Sequence, residues 1–175
     1  EYSFRQPTFP GDILTVRAIK DSDSPWESWT VDMVNQADVV SVTGKIGLGA
    51  APWSSDFVRP VNMQPTMVNN KGNLSLETVE TNLDWCAMQG EFTEEVSTEF
   101  TTTKQLTNNP LFVGGPTNER LIAHPSWTAG WAEQLMRHNF DVPISMHTRS
   151  RIQHHAVIPL GTNVIGGARM VEAYE

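Results

Sequence analysis

The sequence contains very little cysteine and relatively few basic residues. Cys86 is the one cysteine in 175 residues, which excludes an internal disulfide and a cysteine-rich zinc site. This usage favours a reducing compartment, and we expect the cytoplasm. With 12 lysines and arginines against 20 acidic residues, the formal net charge is −8. We therefore expect no nucleic-acid partner.

Long apolar runs are also missing. No uninterrupted stretch approaches the roughly 20 residues that a membrane-spanning helix requires, so we expect no membrane span. The N-terminus does not resemble a secretion signal. The chain begins at Glu1 in an apparent strand and ends at Glu175 within or just after another. We expect it to be a processed protein or part of a longer one.

The first part of the chain, residues 1–50, predicts an antiparallel meander. Apolar and β-branched segments are separated by turn residues such as Pro10-Gly11-Asp12. In one segment Trp29, Val31 and Met33 alternate with polar neighbours, which is typical of a half-buried strand. The predicted strands are residues 2–9, 13–20, 29–34 and 39–48.

The remainder of the chain divides into a linker and a second structured region. Residues 51–90 contain Pro52, Pro60, Pro65 and the Asn69–Gly72 turn, and they predict a long connection with short elements at most. Residues 91–175 contain a predicted helix among strands. The predictions for this region are a strand over 92–101, a loop over 106–118, a helix over Pro125–His138, and strands over about 145–158 and 164–174.

The predicted helix is the most informative segment. Trp127, Trp131 and Leu135 lie at positions i, i+4 and i+8, and the segment has hardly any polar face. Such a helix is expected to be buried, with the N–H groups of its first turn able to polarise a carbonyl or hold an anion. The sequence thus predicts an α+β fold in which a curved antiparallel sheet wraps one central helix.

A faint internal repeat supports two copies of one unit. Residues 157–162, followed by a strand, resemble residues 8–12, which also precede a strand. Each copy has an extended segment, a Pro/Gly turn and then a strand that contains an arginine. On this interpretation the first copy is missing its front and the second is missing its back.

These segments, in this order, resemble the MaoC-like hydratase/dehydratase family of double-hotdog proteins. Phe9–Val16 and Val39–Gly44 resemble the second half of one hotdog domain, and Asn109-Pro110-Leu111, Leu121–His124 with the apolar helix, and Ile158–Gly161 resemble the first half of another. The resemblance implies two incomplete hotdog units related by a pseudo-twofold axis, as a homodimer or a pseudo-dimer with the rest of a longer chain. It covers everything except the linker.

The resemblance also implies a ligand and a reaction. The ligand would be an acyl thioester on coenzyme A or an acyl carrier protein, and the reaction would be hydration or dehydration in fatty acid metabolism, without a cofactor. The family signature places an Asp two positions before the Asn-Pro pair and a His two positions after the Pro. Here those positions are Thr107 and Phe112, and neither can serve as a general acid or base. We therefore expect this region to contribute mainly ligand binding and scaffold.

Two alternative functions remain open. Hotdog thioesterases carry His-Gly-Gly at the helix start and an acidic residue nine positions after the His. Glu133 lies at that distance from His124, although Pro125 and Ser126 replace the glycines. Glu133 is thus a candidate catalytic carboxylate, or it turns outward at a dimer seam. The other alternative is a structural, partner-binding hotdog unit without chemistry.

The candidate binding residues have both functional and structural interpretations. His124 either contacts the thioester or caps the helix at a ligand pocket, or it is a buried histidine bonded to backbone. Ser126 and Trp127 either donate backbone N–H groups to a carbonyl or simply begin the helix. Trp26, Trp29 and Trp53 line an acyl tunnel or pack in the core.

The remaining histidines give little indication of a metal site. His154 and His155 are adjacent on a predicted strand, so their side chains point to opposite faces and cannot easily chelate one ion. His147 lies on the same predicted strand. His138 lies at the predicted helix C-terminus, where a partly positive ring suits the helix dipole. We expect no bound metal.

Overall fold

A computed structural model describes residues 1–24, 27–51, 63–79, 83–103, 107–114 and 121–174. The fold is mixed α+β, with one five-stranded antiparallel sheet and short helices, as the sequence predicts at that level. The chain forms two compact units, Glu1–Phe57 with Ile144–Gln153, and Val58–Pro143 with His154–Glu175.

The secondary-structure elements are short. The strands are β1 (Tyr2–Phe4), β2 (Thr15–Lys20), β3 (Ser28–Val34), β4 (Val40–Gly47), β5 (Gly72–Asn73), β6 (Met88–Glu91), β7 (Phe140–Asp141), β8 (Arg149–Ser150) and β9 (Asn163–Gly166). The helices are α1 (Glu94–Ser97), α2 (Pro110–Val113), α3 (Pro125–Ala129) and α4 (Trp131–Asn139), and a π-helical segment (Thr98–Thr103) follows α1.

The first unit is built on the predicted meander. Its strand order is β2-β3-β4-β1-β8, and every pairing is antiparallel. The alternation predicted for β3 is confirmed, because the register aligns Met33 with Val16 and Val42 on one face of the sheet. Arg17 and Asp32 pair on the other face, with a 2.8 Å ion pair.

The apolar face of this sheet is partly open. The register places Tyr2, Phe4, Val16, Val31 and Ile46 on the same side as Met33. Val16 is 70% exposed and Phe4 is 45% exposed. Trp29 lies on this face and is half-buried, whereas Trp26 and Trp53, the other candidates for an acyl tunnel, lie outside the described residues.

The second unit has a core formed by Phe92, Leu121, Ala123, Trp127 and Trp131. The Trp127 ring packs against Phe92 at 5.3 Å and edge-on against Trp131 at 5.3 Å. Strands β6 and β9 pair antiparallel above Trp131, and glycine at positions 90 and 166 leaves room for the indole. The predicted spacing of Trp127, Trp131 and Leu135 is confirmed, since all are buried.

The prediction that the helix is buried on all sides is wrong. The helical stretch is interrupted at Gly130, and its buried face consists of Trp127, Trp131 and Leu135. Ala132, Glu133 and Gln134 are exposed to solvent. Alanine and glycine have little hydrophobic surface, so their presence beside the tryptophans does not require a second covered face.

The strand predicted over 92–101 is also wrong. This stretch forms α1 and the π-helical segment. The Thr93 side chain accepts a hydrogen bond from the Val96 N–H, and Glu94 and Glu95 occupy the first turn. A threonine cap followed by acidic residues stabilises a helix N-terminus, and this local signal outweighs the strand preference of the threonines that follow.

Four other predictions differ in extent. The strand predicted over 2–9 is reduced to β1. Within the predicted loop 106–118, residues 110–113 form α2. The strand predicted over 145–158 is reduced to β8, and the one over 164–174 to β9. Strand structure in these segments stops where cross-strand partners stop, because backbone hydrogen bonding needs a neighbouring strand.

Candidate functional site

Three of the segments that carry the resemblance meet in the second unit. The Ile122 N–H donates to the Leu111 carbonyl at 3.0 Å, and the Ala123 N–H donates to the Ile158 carbonyl at 2.9 Å. The Leu160 N–H donates in turn to the Leu121 carbonyl at 3.0 Å. The Asn-Pro-Leu segment, the helix approach and the Ile-Pro-Leu-Gly segment are therefore held together by main-chain hydrogen bonds.

Buried hydroxyls fix the position of Phe112. The Ser97 hydroxyl donates to the Phe112 carbonyl at 2.8 Å. The Thr101 hydroxyl lies 2.6 Å from the Ser97 carbonyl and 3.3 Å from the Phe112 carbonyl. Ser97 and Thr101 are 2% and 1% exposed, so their hydroxyls are satisfied inside the protein rather than by solvent.

His124 is the N-cap of α3. Its backbone is extended, with φ −61° and ψ 136°, and its Nδ1 accepts a hydrogen bond from the Ser126 N–H at 3.2 Å. The Trp127 N–H donates to the His124 carbonyl at 2.9 Å. Pro125 at the first helical position suits the start of a helix. His124 thus caps the helix and is bonded to backbone, and contact with a thioester stays a prediction.

The imidazole of His124 lies among aromatic rings. The Phe112 ring packs edge-on against it, with centroids 5.0 Å apart, and the Phe100 ring lies 6.5 Å away. Burial lowers the pKa of His124 below its ordinary value of 6.5, and the charge of His154 acts in the same direction. His124 is thus neutral at pH 7, and because Nδ1 is an acceptor its proton is on Nε2.

The amides of Ser126 and Trp127 already have acceptors. Both donate to His124, one to its ring and one to its carbonyl. Pro125 has no N–H to offer. The hydrogen bonds that a thioester oxygen would receive from these two amides are therefore made within the first turn of α3.

Glu133 lies away from His124. Its carboxylate is paired with Arg137 Nε at 2.9 Å, and the side chain is 62% exposed. An advance of nine residues along a helix is about 13 Å, which separates Glu133 from the start of α3. The structure does not bring the two candidate catalytic residues together, and Glu133 takes part in a surface i,i+4 ion pair.

The positions of the hydratase motif are occupied by residues that stabilise the local turn. The Thr107 hydroxyl accepts a hydrogen bond from the Asn109 N–H at 3.1 Å. The Asn109 carboxamide accepts one from the Leu111 N–H at 3.0 Å and caps α2. Threonine and phenylalanine supply no acid or base here.

The other histidines form separate contacts. His138 Nε2 lies 2.8 Å from the Thr66 carbonyl, and His147 Nε2 lies 2.6 Å from the Ser150 hydroxyl. His154 and His155 are exposed. Within the described ranges, no group of three or more His, Cys, Asp or Glu side chains is arranged to hold a metal ion.

Sequence reasoning did not identify the cavity at the C-terminal end of α4. It is a depression that is largely open to solvent, with a volume of about 380 Å³, and the guanidinium of Arg137 is bonded to Glu133 and to the Val142 carbonyl. Its lining comes from segments far apart in sequence, so no local pattern marks it. The lining residues are Asn73, Arg137, Phe140, Asp141, Val142 and Pro143.

None of the helices in the described part of the chain combines the length and apolar character needed to cross a bilayer. Comparison with protein-family models, with curated proteins and with solved structures finds no match to this chain.

Proposed function

We propose that this chain is a non-catalytic, hotdog-type portion of an acyl-thioester hydratase/dehydratase-like protein. In this proposal it binds the acyl chain of a thioester on coenzyme A or an acyl carrier protein and forms part of the scaffold. The acid and base would come from another part of the protein. The proposal retains two partial hotdog units as its finer description of the fold.

One observation carries the proposal. The segments around Asn109, His124 and Ile158, which carry the part of the resemblance that lies in the second unit, are joined by main-chain hydrogen bonds. At the position where the hydratase signature has its histidine, the Phe112 ring packs on a neutral His124 instead. Such an aromatic surface suits an acyl chain. Phe112 cannot transfer the proton that a histidine at its position would transfer.

The first unit is consistent with the same proposal. Its sheet has one face of apolar side chains, including Val16, Met33 and Val42 in a single row. A hotdog domain requires such a face for packing against its central helix. The thioesterase alternative has no comparable support, since Glu133 is an exposed ion-pair partner of Arg137.

The test is a calorimetric titration with crotonyl-CoA and a longer enoyl-CoA, combined with an absorbance assay for hydration of the enoyl bond. We expect binding that strengthens with acyl length, without turnover. Phe112→Asp should weaken binding at least about tenfold, since a charged group would replace apolar contact. Met67→Asp, at a side chain that is 79% exposed, is the matched control and should bind normally. Hydration of the enoyl bond by the wild-type chain would contradict the proposal. So would the absence of measurable binding at the highest acyl-CoA concentration of the titration.

A further inference from the structure

A titratable side chain serves as the hydrogen-bond acceptor that caps α3. Serine, threonine, aspartate and asparagine are the usual N-cap residues, and none of them gains a proton near neutral pH. His124 caps instead through Nδ1, which accepts from the Ser126 N–H at 3.2 Å. This arrangement requires that Nδ1 carry no proton.

Protonation of His124 and capping of α3 are mutually exclusive. In the neutral ring the proton is on Nε2, so a second proton can only add to Nδ1, where it displaces the Ser126 N–H. The resulting cation would lie at the positive end of a helix, in a partly buried position near the rings of Phe100 and Phe112. Burial of the ring, and then the charge of His154, disfavour the charged form in the folded state.

We propose that His124 is an acid-sensitive latch, whose protonation breaks the side-chain cap that holds the Ser126 amide at the first turn of α3. At neutral pH the latch is closed: His124 caps α3, and the helical residues that follow it bury Trp127 and Trp131. In acid the latch opens and the Ser126 amide loses its acceptor, whereas the Trp127 amide keeps the His124 carbonyl. The response belongs to this chain's own fold and requires no ligand.

The ionisable neighbours of His124 set the direction of the effect. Neither α2 nor α3 contains an ionisable side chain. His154, on the segment leading to Ile158, is the group whose charge acts on His124, and it lowers the pKa of that ring. The π-helical segment, which carries Phe100, and the preceding α1 contain three acidic residues, Glu94, Glu95 and Glu99. The two causes that lower the pKa of His124 are its burial and the charge of His154.

The sign of the pH dependence follows from the lowered pKa of His124. The unfolded chain binds this proton more readily than the folded chain, whose pKa lies below 6.5. The cap therefore stabilises the fold fully above pH 6.5, and the contribution is lost as the pH falls from 6.5 through the folded pKa.

Hydrogen exchange of the full chain, followed by NMR, tests the latch. The protection factor of the Ser126 amide is measured between about pH 5 and pH 8, the range over which histidine titrates. The Trp127 amide, whose acceptor is the His124 carbonyl, is the internal reference. In the wild type, protection should fall by up to about tenfold per pH unit below the unfolded pKa. In His124→Asn, which keeps a capping side chain but does not titrate, protection should be independent of pH. Equal pH dependence in the two proteins, or none in the wild type, would overturn the latch.

Two further measurements keep the test decisive if the asparagine variant does not fold. In His154→Gln the charge that opposes protonation of His124 is removed, so the loss of protection should move to higher pH. In the wild type, the imidazole nitrogen shifts should identify the Nε2–H tautomer of neutral His124. Observation of the Nδ1–H tautomer would refute the proposal, because that tautomer cannot accept from the Ser126 N–H.

Discussion

Replacement of Gly166 by alanine tests whether Trp131 is held as tightly as the structure indicates. A Cβ at this position would lie 2.6 Å from Trp131 Cε3 and 3.1 Å from Cζ3. Trp131 is 6% exposed and packs edge-on against Trp127, so its ring has little room to withdraw. Overpacking of this kind costs about 1–3 kcal/mol, and we expect Gly166→Ala to lower the free energy of unfolding by that amount.

The assay is urea unfolding followed by tryptophan fluorescence, with Gly72→Ala as the matched control. A Cβ at position 72 would meet no atom within 4 Å. That variant should therefore be unchanged or up to about 1 kcal/mol more stable, because alanine restricts the unfolded chain. Gly166→Ala within about 0.5 kcal/mol of the wild type would refute the packing argument, since an overpacked buried site exceeds the effect of an ordinary surface substitution.

A double-mutant cycle separates the clash from other effects of the alanine. In a Trp131→Leu background the ring that meets position 166 is absent, so Gly166→Ala should cost at least about 1 kcal/mol less than in the wild type. An unchanged cost in that background would assign the destabilisation to the β9 backbone instead of Trp131.

Two other substitutions have definite expectations. Thr101→Val should lower the free energy of unfolding by about 1 kcal/mol, because it removes the hydroxyl that lies 2.6 Å from the Ser97 carbonyl. A loss below about 0.3 kcal/mol in thermal unfolding would count against that hydrogen bond. Glu133→Gln should change the free energy of unfolding by less than about 0.5 kcal/mol, as for other exposed i,i+4 pairs. The variant should also leave any hydrolysis of acyl-CoA unaltered. Loss of hydrolysis would restore Glu133 as a candidate catalytic carboxylate.

Part of the candidate site was predictable and part was not. Pro125 and the tryptophan spacing marked the start and buried face of the helix, since both are local signals. The position of His124 before Pro125 indicated capping as one alternative. The engagement of the Ser126 amide by the His124 ring was not predictable, because it depends on a side-chain rotamer held by Phe112 from a separate segment.

The sequence by itself determined the meander of β2, β3 and β4, because alternating side chains with a period of two leave one pairing register that keeps the apolar face together. It also determined the buried stripe of the helix. The Thr93 cap is a local signal that starts a helix at residue 94. Only the tertiary structure decided that helical structure continues to residue 103, where hydroxyls such as that of Thr101 find carbonyl partners on α2. It also decided that the far side of α4 faces water. Local sequence patterns specify the periodicity of a strand or helix. The groups that accept its hydrogen bonds or cover its apolar surface come from distant parts of the chain.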